Sequence, residues 1–370
     1  MTVDGISPGK IVSPESLGEL SELIAAEKGS IVPLGSGTQL EFGNPLQGAD
    51  CAVSLTRLNR ITTYNPAELT IHVEAGVTLD QIQQALAANN QTLPLDPWNG
   101  GSATIGGIAA ANAQGPLRAT GTIRDWIIGM TVVHVDGHRS RTGGRVVKNV
   151  TGYDLAKLYT GSLGSLAVIA EISFKLRPRF EKTATAIAEF TTIEDALAVL
   201  ASVRKSALHQ PIACELVGPK HAVWVRFGEH PRAVESQITN LPAANWKIVE
   251  GAEETAAWEK LRATWAAMGP IVVRAIGKPT DVQGIIDAYA PSSWIAHAMN
   301  GIVLMALGDM QSAEAVRKKF PAIVEKAPRE IRRRLGVFGV SEPAKRLMLE
   351  MKRTFDPERR LNPGRHIDGE

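Results

Sequence analysis

The chain has 370 residues, of which 44% are apolar and 21% are charged, and its net charge is +2. This composition is that of an ordinary folded globular protein, and bulk charge gives no argument for nucleic acid or a membrane surface as a partner. The length exceeds that of one typical core and predicts at least two domains. Two cysteines, Cys51 and Cys214, are too few for a disulfide framework or for the four thiolates of an iron–sulfur cluster.

The N-terminus lacks the basic and apolar regions of a secretory signal. No apolar run approaches the ~20 residues that span a bilayer. We therefore expect a cytoplasmic protein without a membrane span of its own, and attachment to a membrane through a partner would be compatible with this expectation.

The first predicted elements are a helix over residues 13–29, with Ser13 as its N-cap, and a short strand after Gly29. The strand enters a turn with two glycines, Gly35 and Gly37, whose backbones can adopt positive φ and bring several N–H groups close to a ligand. Such a nest of N–H groups binds anions, usually phosphate. The seven residues of this glycine loop are Pro33, Leu34, Gly35, Ser36, Gly37, Thr38 and Gln39.

Two interpretations of the glycine loop remain open, a phosphate cradle and an ordinary strand-to-loop turn. A Rossmann dinucleotide loop is excluded because it needs a third glycine that opens a helix. The chain has Leu40 at that position, and Gly43 and Pro45 follow, which are poor helix openers.

Further elements follow in an alternating order. Strands are predicted at 51–55 and 70–75, and Thr78 with Gln81 forms a capping box for the next helix. Alternation of polar and apolar residues in the second strand predicts that His72 faces outward and has no catalytic role.

Glycine is concentrated between Gly100 and Gly164, where 13 of the 34 glycines fall in 65 residues. The apolar side chains of Ile105, Ile108 and Trp126 within this stretch argue against a flexible linker. We therefore expect main chain that packs against a large ligand. A hairpin with Asp136-Gly137 at its turn joins strands at 127–135 and 139–142, and a strand at 170–176 follows.

Composition changes after residue 180, where strand and helix patterns alternate. A strand at 183–190, a helix capped by Thr192 and Asp195 and a hairpin of 212–217 with 222–227 come first. Helices at 252–267 and 309–320 and strands at 271–276 and 301–307 follow. This order predicts an antiparallel sheet with helices on one face, which is an α+β domain.

The last part of the chain carries a basic stretch over 314–334 and an amphipathic helix that ends near Phe355. The basic stretch is typical of a solvated helix face, and a docking surface for an acidic partner is the alternative. The Asn-Pro-Gly turn at 362–364 indicates that the tail is held in place.

Together these motifs resemble a known family. They are Pro-x-Gly-x-Gly-Thr (33–38), Asp-Pro (96–97), Ala-Thr-Ile-Gly-Gly (103–107), Lys-Asn-x-x-Gly-Tyr-Asp-Leu (148–155), Gly-Ser-x-Gly-Ser-Leu (161–166) and Leu-Asn-Pro-Gly (361–364). The chain resembles the PCMH-type FAD-binding proteins of the vanillyl-alcohol-oxidase fold, and within them the small flavin-binding subunits of bacterial glycolate oxidases.

The resemblance implies an α+β fold, with a two-subdomain FAD-binding domain and a smaller cap domain that holds an antiparallel sheet. The implied boundaries are 1–180 for the FAD domain, 181–340 for the cap and 341–370 for a C-terminal segment that packs back on the FAD domain. The glycine loop would hold the FAD pyrophosphate. The other implied cofactor contacts are Asp96, Gly100, Gly101, Ser102, Thr104, Gly106, Gly107, Ala110, Asn112, Thr120, Gly164, Val168 and Ile169.

Two departures from the family pattern affect the chemistry. The family often attaches its flavin through a histidine in or near the first loop, and residues 33–43 contain none, so we expect non-covalent FAD. The metal-binding motif of the family's 2-hydroxy-acid dehydrogenases is reduced here to His297-Ala-Met-Asn-Gly301, and a single histidine makes no metal site. His297 is a candidate general base, with packing in the cap domain as the alternative. Lys148 and Tyr153 are the other candidate catalytic residues.

The function implied by the resemblance is that of an FAD-binding subunit in a glycolate, or 2-hydroxy acid, oxidase complex. Its partners would be a larger flavoprotein subunit and an iron–sulfur subunit, and its substrate would be a small 2-hydroxy acid. Two alternatives remain open: a free-standing FAD oxidoreductase, with Lys148, Tyr153, His297 and Arg365 as substrate contacts, and a structural subunit without catalysis.

Overall fold

The computed structural model describes residues 1–144 and 153–367 of the chain. These residues form strands β1 to β18, which are Lys10–Val12, Ile31–Leu34, Cys51–Ser54, Ile61–Asn65, Thr70–Glu74, Gln91–Thr92, Ile127–Val133, Arg139–Gly143, Val168–Lys175, Arg177–Pro178, Lys182–Ala188, Ala213–Val217, Ala222–Glu229, Lys247–Glu250, Val272–Ile276, Ser293–His297, Ile302–Ala306 and Ala322–Lys326.

The helices α1 to α12 are Leu17–Ala26, Leu79–Ala87, Ile105–Ala111, Ile123–Trp126, Ala156–Tyr159, Ile193–Lys205, Pro231–Thr239, Gly251–Ala266, Val282–Tyr289, Met310–Lys319, Arg329–Leu335 and Glu342–Phe355. Two 3₁₀-helices, Pro116–Thr120 and Pro279–Asp281, complete the set of described helical elements. Among the described residues, no helix combines the length and the apolar character that crossing a membrane requires.

The chain divides into two compact units. Unit 1 comprises residues 1–115, 121–179 and 329–370, and unit 2 comprises residues 116–120 and 180–328. The sequence-based boundaries at 180 and 340 differ from this division at two places. The short 3₁₀-helix at 116–120 belongs to unit 2, and α11 belongs to unit 1 together with the rest of the C-terminal segment.

Unit 1 contains a parallel sheet in the order β1-β3-β2 and a five-stranded antiparallel sheet in the order β4-β5-β9-β7-β8. The predicted capping box is confirmed, since Thr78 and Gln81 bond reciprocally at the start of α2. The predicted start of α1 at Ser13 is wrong, because the helix begins at Leu17 and Ser16 accepts the capping hydrogen bond from the N–H of Glu19.

The prediction that His72 faces outward is wrong. Strand β5 lies between β4 and β9, and all five of its residues are buried, so both of its faces are covered. His72 is 3% exposed, its Nδ1 lies 2.8 Å from the Ser173 hydroxyl and its Nε2 lies 3.6 Å from Oε2 of Glu171. Alternation predicts an exposed face only where one side of a sheet meets water.

Unit 2 is an eight-stranded sheet in the order β14-β11-β13-β12-β16-β17-β15-β18, and each neighbouring pair is antiparallel. The α+β fold class and the antiparallel cap sheet are thereby confirmed. The predicted cap of α6 is also confirmed, because the Thr192 hydroxyl accepts a hydrogen bond from the N–H of Asp195.

The basic stretch does not form a single solvated face. Arg332 is 2% exposed, and its guanidinium donates to Asp4 and, over 2.9 Å, to the carbonyl oxygen of Gly43. By contrast, Arg333 and Arg334 are exposed and pair with Glu330 within α11. Arg332 is therefore a structural residue of unit 1.

Candidate functional site

An open cleft lies in unit 1 against the C-terminal end of β2, and a second cavity shares part of its lining. The residues common to both are Pro33, Leu34, Gly35, Thr104, Gly107, Ala110, Leu163 and Asn362. The shared walls make the two cavities one continuous groove, which we call the glycine groove.

The glycine loop forms one wall of this groove, and all seven of its residues line it. None of the hydrogen bonds described for this part of the chain uses a main-chain N–H of residues 35–39 as donor. Gly37 has a φ of +80°, which a side chain would strain. The loop therefore presents unused N–H donors, which is the arrangement that binds the oxygens of phosphate groups.

Three contacts hold the glycine loop in place. The N–H of Thr104 donates to the Ser36 hydroxyl over 3.2 Å, and the Asn99 amide donates to the carbonyl oxygen of Thr38 over 2.7 Å. A Cβ atom at residue 35 would overlap Oγ1 of Thr104, so only glycine fits there. The loop is thus packed closely against Thr104 at the start of α3, with short polar side chains between the two segments.

The opposite wall comes from two segments that are far apart in sequence. Leu163 adopts a φ of +55°, and its carbonyl oxygen accepts a hydrogen bond of 2.6 Å from the side chain of Asn362. The N–H of Asn362 donates to the carbonyl oxygen of Ile31, next to the loop. The tail therefore joins the strand below the loop to the segment that faces it.

Arg365 is the charged side chain among the described residues that line the groove. Its guanidinium donates to the carbonyl oxygens of Leu40 and Phe42. Burial lowers the pKa of Arg365 to about 10, partly offset by Asp4, so the group keeps its charge at neutral pH. A positive charge beside unused N–H donors favours an anionic ligand.

Some predicted cofactor contacts line the groove and others do not. Beyond the glycine loop, the lining includes Thr104, Gly106, Gly107, Ala110, Gly164 and Ile169. The remaining predicted residues are not part of the lining: Asp96, Gly100, Gly101, Ser102, Asn112, Thr120 and Val168.

Three of these non-lining residues have structural roles. Asn112 ends α3 in a left-handed conformation with a φ of +49°, and Val168 is buried in a core of unit 1. Gly101 packs against Asp80, which leaves no room there for a Cβ atom. Thr120 belongs to unit 2.

Sequence reasoning missed several lining residues, among them Val3, Leu40, Phe42, Leu55 and Ala75. Val3 and Phe42 carry no motif, and they reach the groove only through tertiary packing. Leu40 directly follows the predicted glycine loop, so extending the loop by one residue finds it.

The predicted catalytic residues are not brought together at the glycine groove. Lys148 lies outside the described residues. Tyr153 is 91% exposed and does not line the groove. His297 ends β16 in unit 2, is 3% exposed, and its Nδ1 lies 2.8 Å from Oε1 of Glu215.

Burial lowers the pKa of His297 well below its usual value, and the charges of Arg118 and Arg274 lower it further. Among the described residues, no group of three His, Cys, Asp or Glu side chains is placed to hold a metal ion. Unit 2 therefore presents a neutral imidazole oriented by a carboxylate.

Comparison with known proteins supports a nucleotide cofactor as the ligand of the glycine groove. The family described as FAD binding domain matches residues 8–143. The chain is 32% identical over 241 residues to glycolate oxidase subunit GlcE of Escherichia coli. The aligned residues are 64% of this chain and 65% of that protein. It is 34% identical over 203 residues to glycolate oxidase subunit GlcD of Bacillus subtilis, which covers 53% of this chain and 43% of that one.

Both matches cover less than two thirds of the relative's length. Among solved structures, an alkyldihydroxyacetonephosphate synthase superimposes with a TM-score of 0.70 at 16% identity, over 95% of this chain and 75% of that one. The likeness extends the fold assignment over both units. Residues 8–143 therefore carry an FAD-binding domain, and FAD is the cofactor. The fold is that of PCMH-type FAD-binding proteins, and in sequence the chain resembles glycolate oxidase subunit GlcE.

Proposed function

We propose that the chain is the FAD-binding subunit of an oxidase or dehydrogenase that oxidises a small 2-hydroxy acid such as glycolate. The observation that carries the proposal is the set of unused N–H groups at residues 35–39, which line the glycine groove. Bound FAD would supply hydride acceptance from the substrate carbon, and the protein would supply orientation and electrostatics.

In this proposal the glycine loop and Arg365 hold the pyrophosphate. Thr104, Gly106 and Gly107 follow the ribityl chain, and Gly164 and Ile169 lie toward the adenine. We infer that the flavin is bound non-covalently, since no histidine or cysteine is among the described residues that line the groove.

His297 is proposed as the group that accepts the proton of the substrate hydroxyl. Glu215 accepts a hydrogen bond from Nδ1–H of His297, which leaves the lone pair on Nε2. A neutral imidazole is the form that a general base requires. Packing inside unit 2 remains the alternative for His297, and the free-standing enzyme remains the alternative for the whole chain.

The proposed partners are a larger flavoprotein subunit and an iron–sulfur subunit, in a cytoplasmic complex. The support is the similarity to two proteins named as glycolate oxidase subunits, together with only two cysteines in this chain, both buried. Co-purification with a cysteine-rich partner supports this arrangement. Reduction of a dye by glycolate with this chain alone favours the free-standing enzyme.

The test of cofactor binding is substitution in the glycine loop. We expect Gly35→Val and Gly37→Val to abolish flavin binding, the first through overlap with Thr104 and the second through strain at positive φ. Absorbance near ~450 nm, the usual flavin band, measures flavin content per chain. Gly284→Ala in α9 is the control, because a Cβ there meets no atom within 4 Å. Flavin retained in both valine variants would refute the loop assignment.

The test of activity is anaerobic mixing of the flavin-loaded chain with a panel of 2-hydroxy acids. Bleaching of the flavin absorbance by glycolate or a related acid is the expected result. His297→Gln should slow bleaching by about 10²–10⁴-fold, the usual contribution of a general base. If the rate of bleaching were unchanged in that variant, His297 would have only a packing role in unit 2.

A further inference from the structure

Arg118 of unit 2 carries a buried guanidinium nitrogen that donates a hydrogen bond to no described residue. It lies in the 3₁₀-helix Pro116–Thr120, which packs against β12. Its Nε is fully buried and has no hydrogen-bond partner among the described residues. A buried cationic donor without a partner costs stability, so its presence calls for a ligand.

The sheet of unit 2 places further charged groups on one face. Glu215 of β12 is in register with His297 of β16. Arg274 of β15 is in register with Leu304 of β17, which pairs with Ile295 two residues before His297. Positions two residues apart along a strand share a face, so Glu215, His297 and Arg274 point to the same side.

The other charged groups in this cluster already have partners within it. Nε of Arg274 lies 2.8 Å from Oε1 of Glu325, and Oε1 of Glu215 lies 2.8 Å from Nδ1 of His297. Arg118 interacts electrostatically with Glu215, Glu325 and Arg274, and its Nε donates a hydrogen bond to none of them. Burial lowers the pKa of Arg118 to about 10, and Arg274 contributes to the shift, so Arg118 stays charged at neutral pH.

We propose that Arg118 is the anchor for the carboxylate of a small 2-hydroxy or 2-oxo acid bound in unit 2. A guanidinium presents parallel N–H donors that match the two oxygens of a carboxylate, and burial strengthens that pairing. The neutral imidazole of His297 belongs to the same cluster and would face the acid's hydroxyl or carbonyl group. The inference rests on the proposed function for its substrate class.

The experiment uses the full-length, flavin-loaded chain and oxalate, a dicarboxylate with no hydroxyl group to oxidise. Isothermal titration calorimetry measures oxalate affinity for the wild type, Arg118→Met, Arg118→Lys and Arg204→Met. Arg204 is an exposed arginine of α6 in the same unit, so its variant is the matched control.

We expect Arg118→Met to weaken oxalate binding by about 100-fold, the loss that removal of one partner from a buried charge pair produces. Arg118→Lys should keep part of the affinity, because an ammonium cannot form the paired contact. Arg204→Met should bind like the wild type.

Thermal unfolding without ligand provides an independent measurement. If the Arg118 side chain is kept for a ligand, Arg118→Met should unfold at the wild-type temperature or higher, since it removes a buried donor that has no partner. Oxalate should then raise the unfolding temperature of the wild type and not that of Arg118→Met. A large fall in unfolding temperature for Arg118→Met would assign the side chain a structural role and overturn the proposal.

The remaining outcomes separate this inference from the proposed function. The inference is overturned if Arg118→Met binds oxalate as tightly as the wild type, or if the wild type does not bind oxalate. In either case the proposed function still stands if 2-hydroxy acids bleach the flavin. Oxalate binding that depends on Arg118, in a chain whose flavin no 2-hydroxy acid bleaches, supports the carboxylate site and refutes the proposed function.

Discussion

Glu171 shows at the scale of one residue how the interior of unit 1 sets an ionisation. Its carboxylate is 20% exposed and lies beside the buried imidazole of His72, with Nε2 and Oε2 3.6 Å apart. This contact, helped by Thr131 and opposed by burial, lowers the pKa of Glu171 to about 2 from the usual 4.5. The folded state therefore binds the proton of Glu171 more weakly than the unfolded chain.

The consequence is a contribution to stability that depends on pH. Because the pKa of Glu171 is lowered on folding, the contribution is complete above pH 4.5 and is lost as pH falls toward about 2. A shift of this size corresponds to about 3 kcal/mol. We expect Glu171→Gln to lower the free energy of unfolding at pH 7 by that order and to flatten its decline between pH 5 and 2.

Urea unfolding at a series of pH values measures this effect. Glu68→Gln, at an exposed position before β5, is the control and should keep the wild-type pH dependence. A Glu171→Gln variant whose stability falls with acid as steeply as the wild type would show that other carboxylates dominate this pH range.

At the scale of elements, helix α12 and the tail that follows it form a clamp on the glycine groove. The ammonium of Lys352 is 1% exposed and donates to the carbonyl oxygens of Ser165 and Leu361, each over 2.9 Å. It also lies 2.6 Å from the Asp356 carboxylate, which accepts hydrogen bonds from the N–H groups of Arg360 and Leu361. One buried ion pair thus fixes the path of the tail to Asn362.

We expect Lys352→Met to lower the free energy of unfolding by about 3–5 kcal/mol, because it leaves Asp356 buried and unpaired. The same variant should bind FAD more weakly, since Asn362 and Arg365 reach the groove only along this path. Urea unfolding and fluorimetric FAD titration measure the two effects. Arg353→Met, at the next and exposed position of α12, should leave both unchanged. If Lys352→Met were less stable but bound FAD with wild-type affinity, the clamp would not be required for cofactor binding.

The elements also show how far sequence can predict this structure. Strand and helix patterns, the capping box at Thr78, the N-cap at Thr192 and the glycine loop are local features, and each is predictable from neighbouring residues. Two other features depend on residues that are distant in sequence. Asp4 pairs with Arg332, and Arg118 belongs to unit 2 although the residues on both sides of its short helix belong to unit 1. Nothing near either partner in the sequence specifies such contacts, because they form only when the whole fold assembles.

At the scale of the whole molecule, each unit has its own sheet, and the cofactor groove belongs to unit 1. Most of its lining comes from four separate segments: the glycine loop, α3 with Thr104 before it, the residues at 163–169 and the tail at 362–365. A ligand that touches all four must order them together, because a ligand stabilises the conformation that it binds. The family resemblance gives the ligand, and the geometry gives the segments that should respond to it.

We therefore expect FAD to slow amide hydrogen exchange in all four segments at once, with the largest effect at the N–H groups of residues 35–39. At a concentration about 1,000-fold above Kd the stabilisation of the bound state is about 4 kcal/mol, which exchange rates resolve readily. Peptides from β12 to β18 should keep their rates, since none of their residues lines the groove. Oxalate should have the opposite distribution, with protection near Pro116–Thr120 and β12. If FAD slowed exchange only in the glycine loop, the tail would not be part of the binding site. If FAD slowed exchange in unit 2 and not in unit 1, the flavin would bind elsewhere than proposed.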